Sequence, residues 1–222
     1  MFQQYVIFLY EDKGFYLMHI YPFKGVVKSA DRHVLNGHGS GLLWFSGLSA
    51  SGKSTVAHAV EERLHAMGVR SYVLDGDNVR SGLNKDLGLS SEDRKENIRR
   101  VAEVAKLMVD AGILVFAAFI TPYRESRRFI RELMEGWPYY ECYIRCSMEV
   151  CEERDPKCLY KRARAGEITN MTGISDPFEE PENPDLIIPT DKLTLDQSVD
   201  CIVRFLIERR LVSRAAICNA SA

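Results

Sequence analysis

No pair of the six cysteines, at positions 142, 146, 151, 158, 201 and 218, has CxxC spacing, so the pattern of a structural zinc site is missing. The opening MFQQYVIFLYEDKGFYL has neither a basic n-region nor a small-residue cleavage site, which removes the secretory reading and with it the oxidising compartment that favours disulfides. Apolar runs are short: Ile113 to Ile120 falls well below the ~20 residues that span a bilayer. A formal net charge of -2 supplies no broad positive field for nucleic acid or anionic lipid, so any phosphate binding has to be local. Repeats and low-complexity tracts are absent. These absences lead us to expect a soluble cytoplasmic protein with reduced thiols and neither nucleic-acid nor membrane partners. What is present, 46% hydrophobic and 27% charged residues in a chain of 222, suits one globular domain.

Residues 1–40 read as an N-terminal extension and lead-in, 41–212 as the domain, and 213–222 as a tail expected to be disordered. Within the extension, YVIFLY and GFYLM flank the turn-like Glu11-Asp12-Lys13-Gly14, the pattern of a β-hairpin. The readable domain begins only after Met18, an expected alternative start. From residue 42 short apolar runs alternate with amphipathic stretches, the signature of a parallel sheet with crossover helices. Strands are predicted at Leu42–Ser46, Ser71–Leu74, Ile113–Phe119, Glu141–Arg145 and Leu186–Ile188. Helices are predicted at Lys53–Met67, Glu92–Ala111, Arg124–Glu135, Met148–Arg154 and Leu195–Arg210. In the second helix Ile98, Val101, Ala105, Met108 and Val109 recur at three- and four-residue steps, a stripe for the sheet. Residues 155–184 turn basic and then rich in Pro, Asp and Glu, reading as a short helix and a mobile loop.

Gly47-Leu48-Ser49-Ala50-Ser51-Gly52-Lys53-Ser54 fits GxxxxGK[ST] and lies between a strand and a helix, the context that the motif requires. Its glycines let successive N–H groups curl around phosphate oxygens at the positive end of the helix. Lys53 is expected on the β- and γ-phosphates of ATP, Ser54 on magnesium, and Thr55 at the start of the helix proper. The second strand runs into Asp75-Gly76-Asp77-Asn78-Val79-Arg80 at a sheet edge where α/β proteins bind ligands. The strand ending at Phe119 carries no acid, so a Walker-B aspartate is missing there. Asp75 or Asp77 is then the nearest carboxylate for magnesium or for the proton of an attacking hydroxyl.

From Gly47 to about Pro184 the chain resembles the adenylylsulfate kinase family of P-loop kinases. Four stretches carry the resemblance in order: GLSASGKST, DGDNVRSGLNKDLGLSSEDRKENIRRVAEVAKLM, FITPYRESR and CEERDPKCLYKRARAGEITNMTGISDPFEEPENPDL. It implies a P-loop NTPase-type parallel sheet flanked by helices, with a mobile basic lid. The implied reaction moves the ATP γ-phosphate to the 3′-hydroxyl of adenosine 5′-phosphosulfate. Asp77 then matches the acid near acceptor hydroxyl and magnesium. Arg80, Arg94 and Asn97 match residues holding the acceptor, beside Asp75, Ile120 and Thr121. Lys161, Arg162 and Arg164 match the lid, whose closure excludes water. A homodimer and a possible sulfurylase partner are also implied.

Several positions depart from the family's pattern. Ala50 and Cys158 stand where glycine is usual, and Ser81 where histidine is. Thr121 occupies the place of a serine sometimes assigned as a phosphorylated intermediate; direct in-line transfer needs none, which leaves Thr121 a substrate-loop residue with a minor catalytic part. Leu89 and Met171 replace two phenylalanines that sandwich adenine. That replacement keeps open a second reading, a kinase retargeted to another nucleotide-like acceptor such as cytidine diphosphoramidate. A third, a non-catalytic nucleotide-binding protein, is opposed by the presence of Lys53, Ser54, Asp77, Arg80 and Arg94.

Overall fold

The apolar runs become the strands of one parallel sheet in a computed structural model that describes residues 23–213. Chain order is α1 (Ser29–Asn36), β1 (Gly41–Ser46), α2 (Lys53–Ala66), β2 (Ser71–Asp75), α3 (Gly76–Ser81), α4 (Ser91–Asp110) and β3 (Leu114–Ala118). There follow α5 (Arg124–Leu133), β4 (Tyr139–Arg145), α6 (Met148–Arg154), α7 (Leu159–Arg164), β5 (Leu186–Pro189) and α8 (Leu195–Glu208). The sheet order is β2-β3-β1-β4-β5, all pairs parallel. Every residue of β1 is buried, as a strand covered on both faces requires.

Alternation along β1 sorts its side chains between two cores. Leu43 and Phe45 join Val56, Val60 and Leu64 of α2 and Ile202 and Leu206 of α8. Leu42 and Trp44 join Ile98, Val101, Ala105 and Val109 of α4 and Ile130 of α5. The predicted stripe of α4 is thus the buried one, with Met108 packed at its margin. A third, smaller cluster ties the segment around α6 and α7 to the phosphate loop through Leu48, Cys146, Cys151, Tyr160 and Met171.

Some sequence expectations change. α2 begins at Lys53, as its predicted range Lys53–Met67 has it and two residues before the Thr55 given as the start of the helix proper, because Gly52 at φ 96° turns the chain directly into the first helical residue. The strands start and stop within a residue or two of their predicted ends, and β2 runs on through Asp75. α1 and α3 were not predicted. The expected hairpin of residues 1–17 and Cys218 lie outside the described residues. Among those described, Cys142, Cys146, Cys151, Cys158 and Cys201 are free thiols, and no helix is long and apolar enough to cross a membrane.

Two loop positions test this backbone in opposite directions. A Cβ at Gly47 would lie 2.4 Å from the Ile144 carbonyl oxygen, whereas Ala50 already holds a left-handed φ of 57°. Ala50→Gly is expected to gain up to ~1 kcal/mol by releasing that strain, and Gly47→Ala to lose roughly 2 kcal/mol or more through the forced backbone shift. Urea midpoints at unchanged m-values check both; an equal response of the two variants would contradict this geometry.

Candidate active site

The loop from Gly47 to Gly52 closes over its own lysine. Lys53 Nζ donates to the carbonyls of Gly47 at 3.0 Å and Leu48 at 2.6 Å. The carbonyls of Ser49 and Ser51 are taken from outside the loop, by Tyr160 Oη at 3.0 Å and Thr190 Oγ1 at 2.6 Å. Gly47 N–H donates to the Ile120 carbonyl at 3.3 Å, joining this loop to the one that follows β3. With these carbonyls engaged, the remaining amides and the first-turn N–H groups of α2 form the anion-facing surface. Burial pulls the Lys53 ammonium from 10.5 down to about 8 against the partial support of Asp75 and Asp77. Cys151, whose thiol burial pushes up to about 12, is neutral near pH 7 and gives Lys53 no countercharge.

Ser54 and Asp75 meet. Ser54 Oγ donates to Asp75 Oδ2 at 2.5 Å, while Asp75 Oδ1 caps α3 by accepting from Asp77 N–H. Asp75 is thus at once the acceptor of the Ser54 hydroxyl beside the phosphate loop and the N-cap of α3. Asp77 stands two residues further along, exposed and paired with Lys157 of the turn between α6 and α7. No cluster of three or more His, Cys, Asp or Glu side chains suited to a metal occurs among the described residues.

On the acceptor side Arg80 Nη1 donates to the Gly88 carbonyl at 3.0 Å. Burial, and then the neighbouring Arg94, hold its guanidinium below the usual value. Two mutually repelling guanidiniums are a ready site for a multiply charged anion. Arg94 also binds the lid: Nε donates to the Leu89 carbonyl, Nη1 to Thr172 Oγ1 and Nη2 to the Asn170 carbonyl, and Asp176 lies 3.3 Å away. A single guanidinium therefore gathers the backbone next to both expected base-contacting residues. Their side chains are placed differently. Leu89 is 58% exposed, whereas Met171 is 7% exposed inside the third cluster, so they form no sandwich here.

Asn97 is buried and accepts from Asn84 Nδ2 at 2.9 Å. Thr121 is 2% exposed, and its hydroxyl accepts from Trp44 Nε1 at 2.8 Å; this place suits a loop anchor rather than a group that takes a phosphate. Lys161 is exposed with its N–H on Asp155, while Arg162 pairs with Glu167 and Arg164 with Glu152. Sequence reading missed Lys157, Tyr160, Thr190 and Arg127. Lys157 and Tyr160 lie inside CEERDPKCLYKRARAGE beside residues it did single out, whereas Thr190 carries no local signal.

Comparison with known proteins gives this geometry its relatives. A family model described as adenylylsulphate kinase matches residues 39–189. An adenylyl-sulfate kinase of Staphylococcus epidermidis is 54% identical over 194 residues, 87% of this chain and 98% of its own. One from Geotalea uraniireducens is 55% identical across 82% of this chain and 86% of its own. A solved structure of Mycobacterium tuberculosis APS kinase with AMPPNP and APS is 45% identical with a TM-score of 0.73, covering 76% of this chain and 98% of that one. A Sinorhizobium meliloti gluconokinase, 19% identical with a TM-score of 0.53 over 78% of this chain and 95% of its own, shares the fold alone. The phosphate loop, the paired arginines and the basic segment all lie within the matched residues 39–189, and the chain belongs to the adenylylsulphate kinase family.

Proposed function

We propose that this chain transfers the γ-phosphate of ATP to the 3′-hydroxyl of adenosine 5′-phosphosulfate, giving 3′-phosphoadenylylsulfate for sulfate activation. The observation that carries the reading is the placing of two positive centres on either side of one carboxylate pair. Lys53 and the α2 N-terminus face the donor, Arg80 and Arg94 the acceptor, with Asp75 and Asp77 between them in sequence and in space. Phosphoryl transfer needs mainly such positioning and charge neutralisation.

Magnesium suits the Ser54–Asp75 pair, a hydroxyl and a carboxylate in contact, because that ion keeps waters and takes one or two carboxylates alongside the substrate's phosphates. There it would neutralise charge on the phosphates. This division assigns the metal side to Asp75 and leaves Asp77 to receive the acceptor's proton, once Lys157 yields its carboxylate. Arg162 and Arg164 can exchange their carboxylate partners for phosphate when the lid closes. The functional unit is proposed to be a cytoplasmic homodimer, and a sulfurylase is the natural supplier of its acceptor.

The Leu89 and Met171 positions favour a second reading, a family member retargeted to a different nucleotide-like acceptor. A panel of adenosine 5′-phosphosulfate, AMP, CMP and cytidine diphosphoramidate in a coupled ATP-consumption assay separates the two; preference for a cytidine acceptor would overturn the first. If adenine is the base, Leu89→Phe with Met171→Phe should lower the acceptor KM about tenfold through recovered stacking, with ATP parameters unchanged.

Lys53→Ala is expected to abolish transfer and keep the fold, and Asp77→Asn to lower kcat far more than ATP affinity. Wild-type turnover in the first, or an effect on ATP affinity alone in the second, would refute the role given to each. The titration of Lys53 supplies a test that needs no acceptor. The unfolded lysine keeps its proton to about 10.5 and the folded one only to about 8, so the unfolded state binds more protons in that window and this group's contribution to stability rises with pH there. ATP favours the charged amine, so its binding near pH 9 should take up a proton. Calorimetry in buffers of different ionisation enthalpy would show the uptake, and Lys53→Met should lose it; no uptake in the wild type would show that the amine does not meet the phosphates.

A further inference from the structure

We infer that Arg127 is a positioning residue for the acceptor, acting through the backbone of the loop that follows β3; this rests on the reading of that loop as the acceptor side. Arg127 lies on α5 and its side chain is only 3% exposed, facing Glu141 of β4, itself 8% exposed. Nη1 donates to the Thr121 carbonyl at 2.6 Å and Nη2 to the Glu179 carbonyl at 2.5 Å. Nε lies 3.0 Å from Glu141 Oε1, close enough for an ion pair though not aligned as a hydrogen bond.

One planar group thus joins three segments distant in sequence. The first holds Thr121 at φ 45°, a conformation that a β-branched residue adopts only when its surroundings enforce it. Trp44 fixes the side chain of that residue and Arg127 its carbonyl. Its neighbour Ile120 accepts from Gly47 N–H of the phosphate loop. The second segment, at Glu179, is the return of the lid, which also bonds through its own N–H to the Pro122 carbonyl at 2.9 Å and through its side chain to Arg124 N–H. The third is the sheet itself, where Arg131 and Asp185 complete the charge set around Glu141.

A buried guanidinium loses hydration that one misaligned carboxylate does not fully replace, and burial holds Arg127 below its usual value despite Glu141. A hydrophobic pair of similar volume would often serve stability as well. What such a pair could not do is hold two carbonyls of separate loops at one fixed spacing, which the five-donor fork does. The strain at Thr121 and the desolvated charge are thereby tied to one outcome, the relation of the acceptor loop to the lid's return.

The test separates positioning from support of the fold. Arg127→Met leaves the buried Glu141 with only the more exposed Arg131 beside it, and a loss of about 10 °C in Tm is expected. Adding Glu141→Gln removes this under-compensated charge and should recover at least half of that loss. The acceptor KM should nevertheless stay raised about tenfold or more in both variants, since small misplacements are costly, while the ATP KM stays within about threefold. Recovery of acceptor KM together with Tm, or an acceptor KM that never moved, would overturn the inference. Should Arg127→Met not fold, Arg127→Lys keeps the charge and lacks the fork; a normal acceptor KM there is equally decisive against it. Hydrogen exchange of the double variant keeps this result distinct from the identity of the substrate. Faster exchange at Gly47 and Glu179 with α2 unchanged supports the inference, and unchanged exchange at both amides overturns it, even if adenosine 5′-phosphosulfate is not phosphorylated at all.

Discussion

Lys53 carries its charge into a place from which water is largely removed, and the surrounding architecture is arranged so that an anion is the partner still wanting. A fully buried strand delivers the chain to this point and α2 departs from it, so the positive end of a helix and a dried ammonium coincide. Tyr160 and Thr190, from α7 and the end of β5, take carbonyls of the loop, and Lys53 itself takes two more. Such a loop is set before its ligand arrives, which lowers the ordering cost at binding.

Around this fixed centre the charges fall into two kinds. Arg162–Glu167, Arg164–Glu152 and Lys157–Asp77 are exposed pairs on or beside the lid, and such pairs contribute little net stability. Their partners can be exchanged for phosphates at small cost, as the proposed role of the lid requires. Arg127 with Glu141 is the other kind, enclosed between helix and sheet, where separating the partners would strand a buried charge. The exposed pairs and the enclosed one are all made from basic and acidic side chains; burial distinguishes them. This also explains how a chain of net charge -2 can bind two polyanions.

The strands and long helices were legible because each has a core-facing pattern that repeats over its length. α1 was not, since none of its residues is buried and it writes no stripe. α3 spans only six residues, too short for a period to show; α7, of the same length, was expected only as a short helix somewhere in 155–184. The phosphate loop was fully legible, being local in sequence. Asp75 against Ser54 and Arg127 against Thr121 were not: the contacts join residues distant in the chain or hidden on a helix face, and although FITPYRESR ends on Arg127, nothing in that stretch says that its side chain turns inward. Similarly, positions 89 and 171 could be named from the resemblance, but the burial of Met171 and the exposure of Leu89 follow from packing around Tyr160 and from the loop held by Arg80 and Arg94.

The two departures that replaced glycine have a common structural meaning. Ala50 and Cys158 keep left-handed backbones, at φ 57° and 53°, the conformations that glycine adopts without strain. With Thr121 they account for three of the four non-glycine residues at positive φ among those described, and all three adjoin the donor or the acceptor side. Each also sits next to an anchor from elsewhere. Tyr160 holds the Ser49 carbonyl beside Ala50, and Arg127 and Trp44 hold Thr121. The Asp155 carboxylate takes the N–H groups of Leu159 and Lys161 just after Cys158. A side chain in place of glycine is tolerable at these points because the turn is enforced by its neighbours rather than by the freedom of the residue itself. The same enforcement makes the loops stiff, and stiffness at the edges of a transfer site is what in-line geometry requires.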